Sequence, residues 1–323
     1  MSKYQFLLPA YKGRYLDEML NSIQAQTYTN FDVLISDDNS PEDIKSICSV
    51  YLKDARFHYR RNEKNLGNYS LTTHWNYLIE TCNADYVIIA SDDDIYENKF
   101  LEKVNELIDK YPKIDLIRTR VRKINENREP YDEDCLFPET EDALHFLHSS
   151  FCNNRIHCIG NYIFKTETLK KEGGFVDFPL AWFSDDATVF TCGKKGIVNT
   201  KDILFNFRIS PINISNQRNY NPIIAKKKIE ATCKFYEWMN NFIKDLSFSD
   251  SLLCKTLYNR MYEGFNSRVK WQIFSYYCQI DFKSFVLVTK WMKKKHLLSF
   301  KGTIQSTLFW IKHKYIISKF CKM

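Results

Sequence analysis

The sequence predicts an α/β fold, in which a mainly parallel sheet is flanked by helices and followed by a helical, basic and aromatic C-terminal extension. Three observations carry this prediction. Strand-like and helix-like segments alternate through about the first 110 residues, as in βαβ units. Acidic clusters directly follow two of the strand-like segments. From about residue 223 onward, the chain is rich in Lys and aromatic residues and has the pattern of helices.

The predicted elements of the N-terminal part follow from short apolar runs, which predict strands, and from apolar residues three or four apart, which predict helices. In chain order they are a strand at 4–8, a helix at 15–26, a strand at 31–35, a helix at 41–52, a strand at 57–60, a helix at 69–82 and a strand at 86–90. Pro9 is expected to end the first strand. Ser40 is expected to cap the second helix, with Glu42 and Asp43 in its first turn.

Residues 111–220 are less regular, and strands are predicted at 114–119, 159–165 and 203–208. The composition changes near residues 219–222. We therefore expect a sheet-containing domain at 1–222 and a helical region at 223–323, with a boundary good to several residues.

Composition describes a folded protein with an uneven charge. Among 323 residues, 44% are hydrophobic and 26% are charged, which excludes a disordered chain or a fibre. The net charge is +7, yet residues 224–323 carry 19 Lys and Arg against 6 Asp and Glu. The remainder is net acidic. This uneven distribution of charge predicts an acidic catalytic or binding domain, followed by a basic C-terminal tail that contacts an anionic surface.

Ten cysteines occur without any C-x-x-C pair, which argues against ribbon or finger zinc sites. The N-terminus has no pattern of an export signal, and the longest stretch without Asp, Glu, Lys or Arg, 65–79, is too short and polar to span a bilayer. We therefore expect reduced thiols in a cytoplasmic protein that is not an integral membrane protein.

Asp92, Asp93 and Asp94 follow an apolar strand, and this cluster is the strongest functional indication. Three adjacent carboxylates repel one another, so a folded protein tolerates them best with strong solvation or a bound cation. A solvated turn is the alternative. Oxygen ligands suit Mg²⁺ or Mn²⁺. Because ligands bind at the carboxyl ends of parallel strands, the position favours a functional cluster.

Asp37 and Asp38 follow a second strand in the same manner. Asn39 and Ser40 beside them suit a turn or helix cap. A carboxylate at this place could also accept hydrogen bonds from a base or a ribose. By itself, this motif is weak evidence for a binding site. The presence of a second acidic cluster at the end of another strand strengthens that evidence.

These segments together resemble a known family. The order PAY at 9–11, SIQAQTYTNFDVLISDDNS, NLG at 65–67 and YVIIASDDDIY is similar to the family 2 glycosyltransferases of GT-A fold, which have a Rossmann-like sheet. The resemblance covers roughly residues 4–215. It implies an inverting transferase that uses a nucleotide-diphosphate sugar, with UDP as the expected nucleotide and Mg²⁺ or Mn²⁺ as the cofactor.

The resemblance also implies roles for single residues. Pro9, Ala10 and Tyr11 would pass near the base, Asp38 would bind the uracil, and Asn65 would belong to the nucleotide-sugar site. Asp92 would lie near the ribose, Asp93 on the cation, and Asp94 would be a second metal ligand. Ser91 stands where many members have the leading Asp, so the division of roles within the cluster stays open.

A second acidic pair occurs in FPLAWFSDDATVF, where the family carries its catalytic base. Asp186 is the predicted base and Asp185 the alternative, and either could also cap the following helix. Trp182 and Phe183 could form a sugar platform or pack in a core.

In ILFNFRISPINIS, which resembles the segment that closes the site, Arg208 and Ser210 occupy a region where many members have a His. Arg208 could contact the diphosphate or pair with an acid.

Other motifs are weak or missing. His145 and His148 lack a third residue at suitable spacing for a zinc site. No G-x-G-x-x-G or P-loop motif occurs, which removes the main support for those nucleotide folds.

The tail, with segments RVKWQIFSYY, KWMKKKHLLSF and FWIKHKYIISKF, suits a helix on anionic lipid at the inner face of the plasma membrane. A helical cap is the second interpretation and nucleic-acid binding the least favoured.

The predicted function is therefore sugar transfer to a glycan or a lipid-linked oligosaccharide in surface-polysaccharide assembly. A non-catalytic module that binds nucleotide or glycan is the first alternative. A nucleotidyltransferase is the second, although Lys12-Gly13-Arg14 only faintly resembles the Gly-rich basic loop that it would need.

Overall fold

The computed structural model describes residues 2–68, 70–153, 155–210 and 221–320, with side chains described as far as residue 312. The chain forms two compact units. The first comprises Met1–Asp177 and Ser184–Gln217, and the second comprises Phe178–Phe183 and Arg218–Met323. Tyr69, where the third helix is predicted to begin, and positions 219 and 220 of the predicted boundary lie outside the described residues.

The first unit contains the sheet and seven of the described helices. Its strands are β1 (Tyr4–Ala10), β2 (Phe31–Asp37), β3 (Phe57–Arg61), β4 (Tyr86–Ile89), β5 (Ile95–Tyr96), β6 (Leu116–Ile124), β7 (Pro130–Glu133), β8 (Thr140–Glu141), β9 (Tyr162–Lys165) and β10 (Ile197–Arg208). Its helices are α1 (Leu16–Gln24), α2 (Ile44–Cys48), α3 (Leu71–Thr81), α4 (Phe100–Lys110), α5 (Ala143–Cys152), α6 (Thr166–Lys171) and α7 (Ser184–Cys192).

The sheet has the strand order β3-β2-β1-β4-β9-β6-β10-β5, with β7 on β6 and β8 on β10. The first four of these strands are parallel, as alternating βαβ units require. In the register, Ala10 lies opposite Asp37 and Leu7 lies opposite Ile89. The carboxyl ends of β1, β2 and β4 therefore meet at one edge. The predicted α/β fold class is confirmed.

The second half of the sheet is mixed. Strand β9 is antiparallel to both β4 and β6, which lie on either side of it, whereas β6 and β10 are parallel. The short strand β5 pairs antiparallel with β10. This pairing brings the end of β10 beside the segment that follows β4, so Arg208 comes close to the acidic cluster.

Apolar faces explain why the flanking helices dock on the sheet. In α1, Leu16, Met19, Leu20 and Ile23 recur at helical spacing and are fully buried. Across the same core, the ring of Phe6 packs edge-on against Tyr96 at a centroid distance of 5.1 Å. The packed core holds the strand ends in fixed positions.

Two local predictions are wrong. Pro9 does not end β1, which continues to Ala10, because pairing with β4 stops at Leu7 and the missing N–H of Pro9 costs no ladder bond. Helix α2 begins at Ile44 with Asp43 as its N-cap, and Asp43 accepts a bond from the Ser46 N–H. The Ser40 hydroxyl instead donates to the Tyr11 carbonyl oxygen at 2.6 Å, so Ser40 is held outside the helix.

The second unit contains four helices within the described residues: α8 (Pro222–Lys244), α9 (Leu252–Tyr277), α10 (Phe282–Lys294) and α11 (Phe300–Phe320). Aromatic side chains form much of its core. The rings of Phe183 and Phe235 stack at 4.5 Å, and Phe265 meets Phe235 edge-on at 5.9 Å. Over the described residues, none of the helices has both the length and the apolar character needed to cross a bilayer.

Candidate functional site

The acidic cluster lies directly after β4, at the edge where the parallel strands end. Asp92 Oδ2 accepts hydrogen bonds from the backbone N–H groups of Tyr11 at 3.1 Å and Lys12 at 2.8 Å. These two amides belong to the loop that follows β1. Asp92 therefore joins the ends of two neighbouring strands and shapes the loop that is predicted to meet the nucleotide.

Asp94 points to the other side of the cluster and is almost fully buried. Its Oδ1 accepts the backbone N–H of Arg208 at 2.9 Å, whereas its Oδ2 has no hydrogen-bond partner with good geometry among the described residues. Burial, together with the charge of Asp93, raises the pKa of Asp94 well above its ordinary value. Asp94 thus attaches the segment after β4 to the end of β10.

Asp93 lies between these two carboxylates and differs from both. Across the described part of the chain, no other residue holds its carboxylate by a hydrogen bond or ion pair, and only its own backbone N–H acts on it. Burial and the charge of Asp92 raise its pKa to about 7, although Lys12 and Arg208 partly oppose this. A buried acid without a partner is costly, and a bound cation would remove this cost.

These oxygen donors fit a divalent cation. Within the described ranges, no group of three or more His, Cys, Asp or Glu side chains could hold a metal by itself. Mg²⁺ and Mn²⁺ commonly take one or two carboxylates and complete their shell with substrate phosphates and water. Asp93, with the buried Oδ2 of Asp94 beside it, suits such a shared site.

The side chain of Arg208 holds the backbone of the acidic cluster Asp92–Asp94 by hydrogen bonding. Its guanidinium donates to the carbonyl oxygens of Asp93 at 2.8 Å and Glu126 at 3.0 Å, and to the Glu18 carboxylate at 2.6 Å. It also lies 4.2 Å from the centre of the Tyr15 ring. The side chain is fully buried. These contacts give Arg208 a structural role, and its contact with a diphosphate stays a prediction.

The second acidic pair ends β2, and both of its carboxylates organise neighbouring loops. Asp37 Oδ2 accepts from the Tyr59 hydroxyl at 2.7 Å and from the Arg61 guanidinium at 2.5 Å. Its Oδ1 accepts the Ser40 N–H at 2.8 Å. Asp37 is therefore committed to joining β2 with β3 and the following turn.

Asp38 orders the segment that contains NLG. Its oxygens accept the N–H groups of Leu66 at 2.8 Å and Gly67 at 2.7 Å, and the Asn62 amide at 2.9 Å. His74 Nδ1 lies 3.5 Å from Asp38 Oδ2. Asp38 thus brings the segment around Asn65 to the end of β2. Its contact with a uracil stays a prediction.

The remaining positions predicted for the nucleotide lie around this edge. Pro9 and Ala10 close β1, and Tyr11 follows them with a partly exposed side chain. The Asn65 side-chain oxygen accepts the Asn68 N–H at 2.7 Å, which closes a turn. The fold therefore places these positions at the end of β1, directly after it, or in the segment that Asp38 holds.

The third acidic pair opens α7. Asp186 is buried in the first turn of this helix, and its N–H donates to Asp185 Oδ1 at 3.0 Å. Asp185 adds negative charge near the buried Cys158 thiol, as Asp94 does, and burial with these charges raises the pKa of that thiol. Asp94 and Asp185 thus both act on the same buried thiol. Which acid is the base stays a prediction.

Three other candidates have ordinary structural roles. Phe183 packs against Phe235, and the Lys228 ammonium lies 4.1 Å from the centre of the Trp182 ring, so these aromatics belong to the second unit's core. His145 Nδ1 lies 2.9 Å from the carboxylate of Asp142, the N-cap of α5. The core-packing alternative for the aromatics and the non-metal interpretation of His145 fit these contacts.

Sequence reasoning missed three residues that shape the site: Lys12, Glu18 and His74. Lys12 contributes a backbone amide, which no side-chain motif reveals. Glu18 looks like any acid in the first turn of a helix. His74 lies on the buried face of α3 and contacts the Ser36 hydroxyl at 3.0 Å. Only its position on an apolar helical face could have indicated burial.

Comparisons with known proteins find similar sequences and similar folds. A sequence model described as Glycosyl transferase family 2 matches residues 6–172. An uncharacterized glycosyltransferase of Rickettsia felis is 29% identical over 140 residues, which cover 39% of this chain and 20% of that protein. Glycosyltransferase GlyG of Streptococcus pneumoniae is 25% identical over 103 residues, covering 32% of this chain and 34% of that protein. The chain thus spans a minor part of these relatives.

Solved structures share the fold. S. aureus TarS 1-349 in complex with UDP-GlcNAc superposes with a TM-score of 0.57 at 16% identity, over 91% of this chain and 92% of that one. Mannosyltransferase PcManGT from Pyrobaculum calidifontis, in complex with GDP-Man and Mn²⁺, superposes with a TM-score of 0.55 at 13% identity. That match covers 99% of this chain and 86% of the mannosyltransferase. At these identities the likeness concerns the fold.

Proposed function

The chain belongs to glycosyl transferase family 2, and on that premise we propose that it transfers a sugar from a nucleotide-diphosphate donor to an acceptor hydroxyl. The proposed donor is a UDP-sugar. S. aureus TarS was solved with UDP-GlcNAc, and PcManGT with GDP-Man and Mn²⁺, so the shared fold accommodates nucleotide sugars. The donor panel described below tests whether the base of the donor nucleotide is uracil or guanine.

The main support for this proposal is that three adjacent acids differ in the hydrogen-bond partners of their carboxylates. Asp92 accepts the loop amides of Tyr11 and Lys12, and Asp94 accepts the Arg208 amide. Asp93 alone keeps a carboxylate that no other described residue binds. A metal site that is shared with a diphosphate requires a rigidly held carboxylate with an oxygen available to the cation.

We assign the metal to Asp93, with Asp94 as a second ligand. When bound, the cation would neutralise the charge that develops on the departing nucleoside diphosphate. The protein's own contribution is to fix this carboxylate. Its carbonyl is held by the Arg208 guanidinium at 2.8 Å, and its two neighbours are tied to other strands.

The nucleoside would lie along the ends of β1 and β2. Pro9, Ala10 and Tyr11 would border the base, and Asp38 would accept a hydrogen bond from it. Asp92 would lie near the ribose. Asp38 and Asp92 already bind backbone amides at 2.7 to 3.1 Å, which fixes the direction of their remaining lone pairs. Asn65, which closes its turn by accepting the Asn68 N–H, would also belong to this site.

Asp186 would act as the general base. Its position in the first turn of α7 suits a carboxylate, because helix N-termini stabilise negative charge. It would accept the proton of the acceptor hydroxyl while that oxygen forms a bond to the anomeric carbon. The bond from this carbon to the phosphate oxygen breaks, and the nucleoside diphosphate leaves with the electron pair. One displacement inverts the anomeric configuration.

The proposed acceptor is a glycan or a lipid-linked oligosaccharide in surface-polysaccharide assembly, and the proposed location is the cytoplasm. The nine cysteines that the structure describes form no disulfide with one another, which fits a reducing compartment. The acceptor rests on the family and on the basic C-terminal region.

Donor hydrolysis tests the proposal. The full chain would be incubated with a panel of UDP-, GDP- and dTDP-sugars and with Mn²⁺, Mg²⁺ or EDTA, and the released nucleoside diphosphate would be measured. We expect one nucleotide to be released, only with metal. The variant Asp93→Ala should lose this release. Asp250→Ala, which removes an exposed acid in the second unit, is the matched control.

The products separate the alternatives. Release of pyrophosphate from a nucleoside triphosphate incubated with a sugar 1-phosphate, without release of nucleoside diphosphate from the panel, would indicate a nucleotidyltransferase. Calorimetric binding of a sugar nucleotide without turnover, even with candidate acceptors, would indicate a binding module. Neither binding nor release across the panel would overturn the donor site.

A further inference from the structure

Within residues 300–312, whose side chains are described, helix α11 contacts α10 through Trp310. The Trp310 ring lies 5.1 Å from Phe285 and 5.6 Å from Phe282, both on α10, and Ser306 one turn earlier is buried. In an ordinary surface helix, this inward face would also carry the large aliphatic residues. In α11 it does not.

Four large apolar residues of this described part of α11 lie on another side of the helix and are exposed. Phe300, Ile304, Leu308 and Ile311 have exposed fractions of 76%, 48%, 62% and 54%. Their spacing of four, four and three residues places them on one side of the helix, within about 80° of arc and along roughly 16 Å. We call these four residues the α11 stripe. A continuous exposed apolar stripe of this kind indicates a partner.

Cations border the α11 stripe. The Lys293 ammonium lies 5.8 Å from the centre of the Phe300 ring. Lys301 and Lys312 are exposed, and each directly follows a terminal residue of the stripe, Phe300 or Ile311. The last 60 residues contain a single acid, Asp281, and its carboxylate caps α10 by accepting the Ser284 N–H. The stripe therefore has a strongly positive border.

We propose that the α11 stripe docks on an anionic lipid surface, with the helix lying in the plane of the headgroups. The stripe would enter the region between headgroups and acyl chains, while the lysines would contact negative headgroups. A second copy of this chain would bring like charge against like charge. A phosphate backbone would match the lysines but would leave Ile304, Leu308 and Ile311 without an apolar partner.

The test is sedimentation of the full-length protein with vesicles of phosphatidylcholine alone or mixed with phosphatidylglycerol. We expect binding that requires the anionic lipid and weakens with salt. The double variant Ile304→Gln/Leu308→Gln should bind at least about tenfold more weakly, because it removes half of the inserted apolar surface. Leu252→Gln/Leu253→Gln, which changes two exposed leucines at the start of α9, is the matched control and should bind like the wild type.

Circular dichroism and urea unfolding would show whether each variant remains folded. Binding that is equal for the stripe and control variants would overturn the proposal, as would equal binding to neutral vesicles. Self-association that the stripe variant abolishes, or binding to nucleic acid without binding to vesicles, would also overturn it. Donor hydrolysis is measured separately, and the stripe variant should retain it, so a failure of the transferase proposal would leave this result interpretable.

Discussion

The buried guanidinium of Arg208 donates a 2.6 Å hydrogen bond to the Glu18 carboxylate, and this pair joins the end of β10 to the first turn of α1. The same guanidinium holds the carbonyl oxygen of Asp93. The ion pair therefore supports the backbone that carries the proposed metal ligand. Its removal should affect both stability and metal affinity.

We expect Glu18→Gln to lower the free energy of unfolding by about 1–3 kcal/mol, because Arg208 keeps a buried charge without its carboxylate. The loss should stay below that of a fully buried pair, since Glu18 is partly exposed and also binds Arg128. Urea unfolding measures it. Glu106→Gln, which breaks an exposed pair with Lys103, should change stability by less than about 0.5 kcal/mol. Equal effects of the two variants would contradict the role of Arg208.

Asp93→Asn should weaken Mn²⁺ binding at least about tenfold and at the same time increase the stability of the metal-free protein. The raised pKa of Asp93 shows that its charge is unfavourable there, so a neutral amide relieves repulsion from Asp92. Calorimetry with Mn²⁺ and urea unfolding at pH 8 with EDTA measure the two effects. A variant that is less stable and binds Mn²⁺ as the wild type does would rule out the metal assignment.

Asp186→Asn should lower turnover with an acceptor by about 10²- to 10⁴-fold, because an amide cannot accept the hydroxyl proton. The KM for the donor should change little. Asp185→Asn is the matched variant in the same turn, and it removes the charge while keeping an oxygen that can accept the Asp186 N–H. The larger loss of kcat identifies the base. If neither variant loses more than about tenfold, the base lies elsewhere.

His74 should make the protein less stable at mildly acidic pH. Burial lowers the pKa of His74 below its ordinary value of 6.5, against the opposing charge of Asp38. The unfolded chain therefore binds more protons, and stability falls as the pH drops below about 6.5. Between pH 7.5 and 5.5, we expect His74→Gln to lose about 1 kcal/mol less stability than the wild type. Parallel losses in urea unfolding would show that another group controls this range.

The alternation of strands and helices was predictable because it depends on local patterns. Apolar runs such as Tyr86–Ile89 identify strands, and the buried spacing of α1 identifies a helix. The start of α2 was not predictable, because Ser40 and Asp43 are both good caps. The choice between them follows from a contact of Ser40 with the Tyr11 carbonyl, 29 residues earlier.

The order of the sheet also depends on distant contacts. Strand β9 inserts antiparallel between β4 and β6, and β5 pairs with β10. Local sequence patterns do not predict either pairing. Short strands such as β5 and β8 have two residues each, which is too few for a periodic pattern. Non-local pairing decides these elements.

The sequence by itself determined that acids follow the strands β2 and β4, because strand propensity and acid placement are local properties. It could not distinguish Asp92, Asp93 and Asp94, which share one chemistry and one neighbourhood. Only the tertiary structure separated them. Lys12 lies 80 residues before Asp92, and Arg208 lies 114 residues after Asp94, and their amides occupy those two carboxylates. The carboxylate of Asp93 remains available to a metal ion, because folding places backbone amides beside Asp92 and Asp94 but, among the described residues, none from another residue beside Asp93.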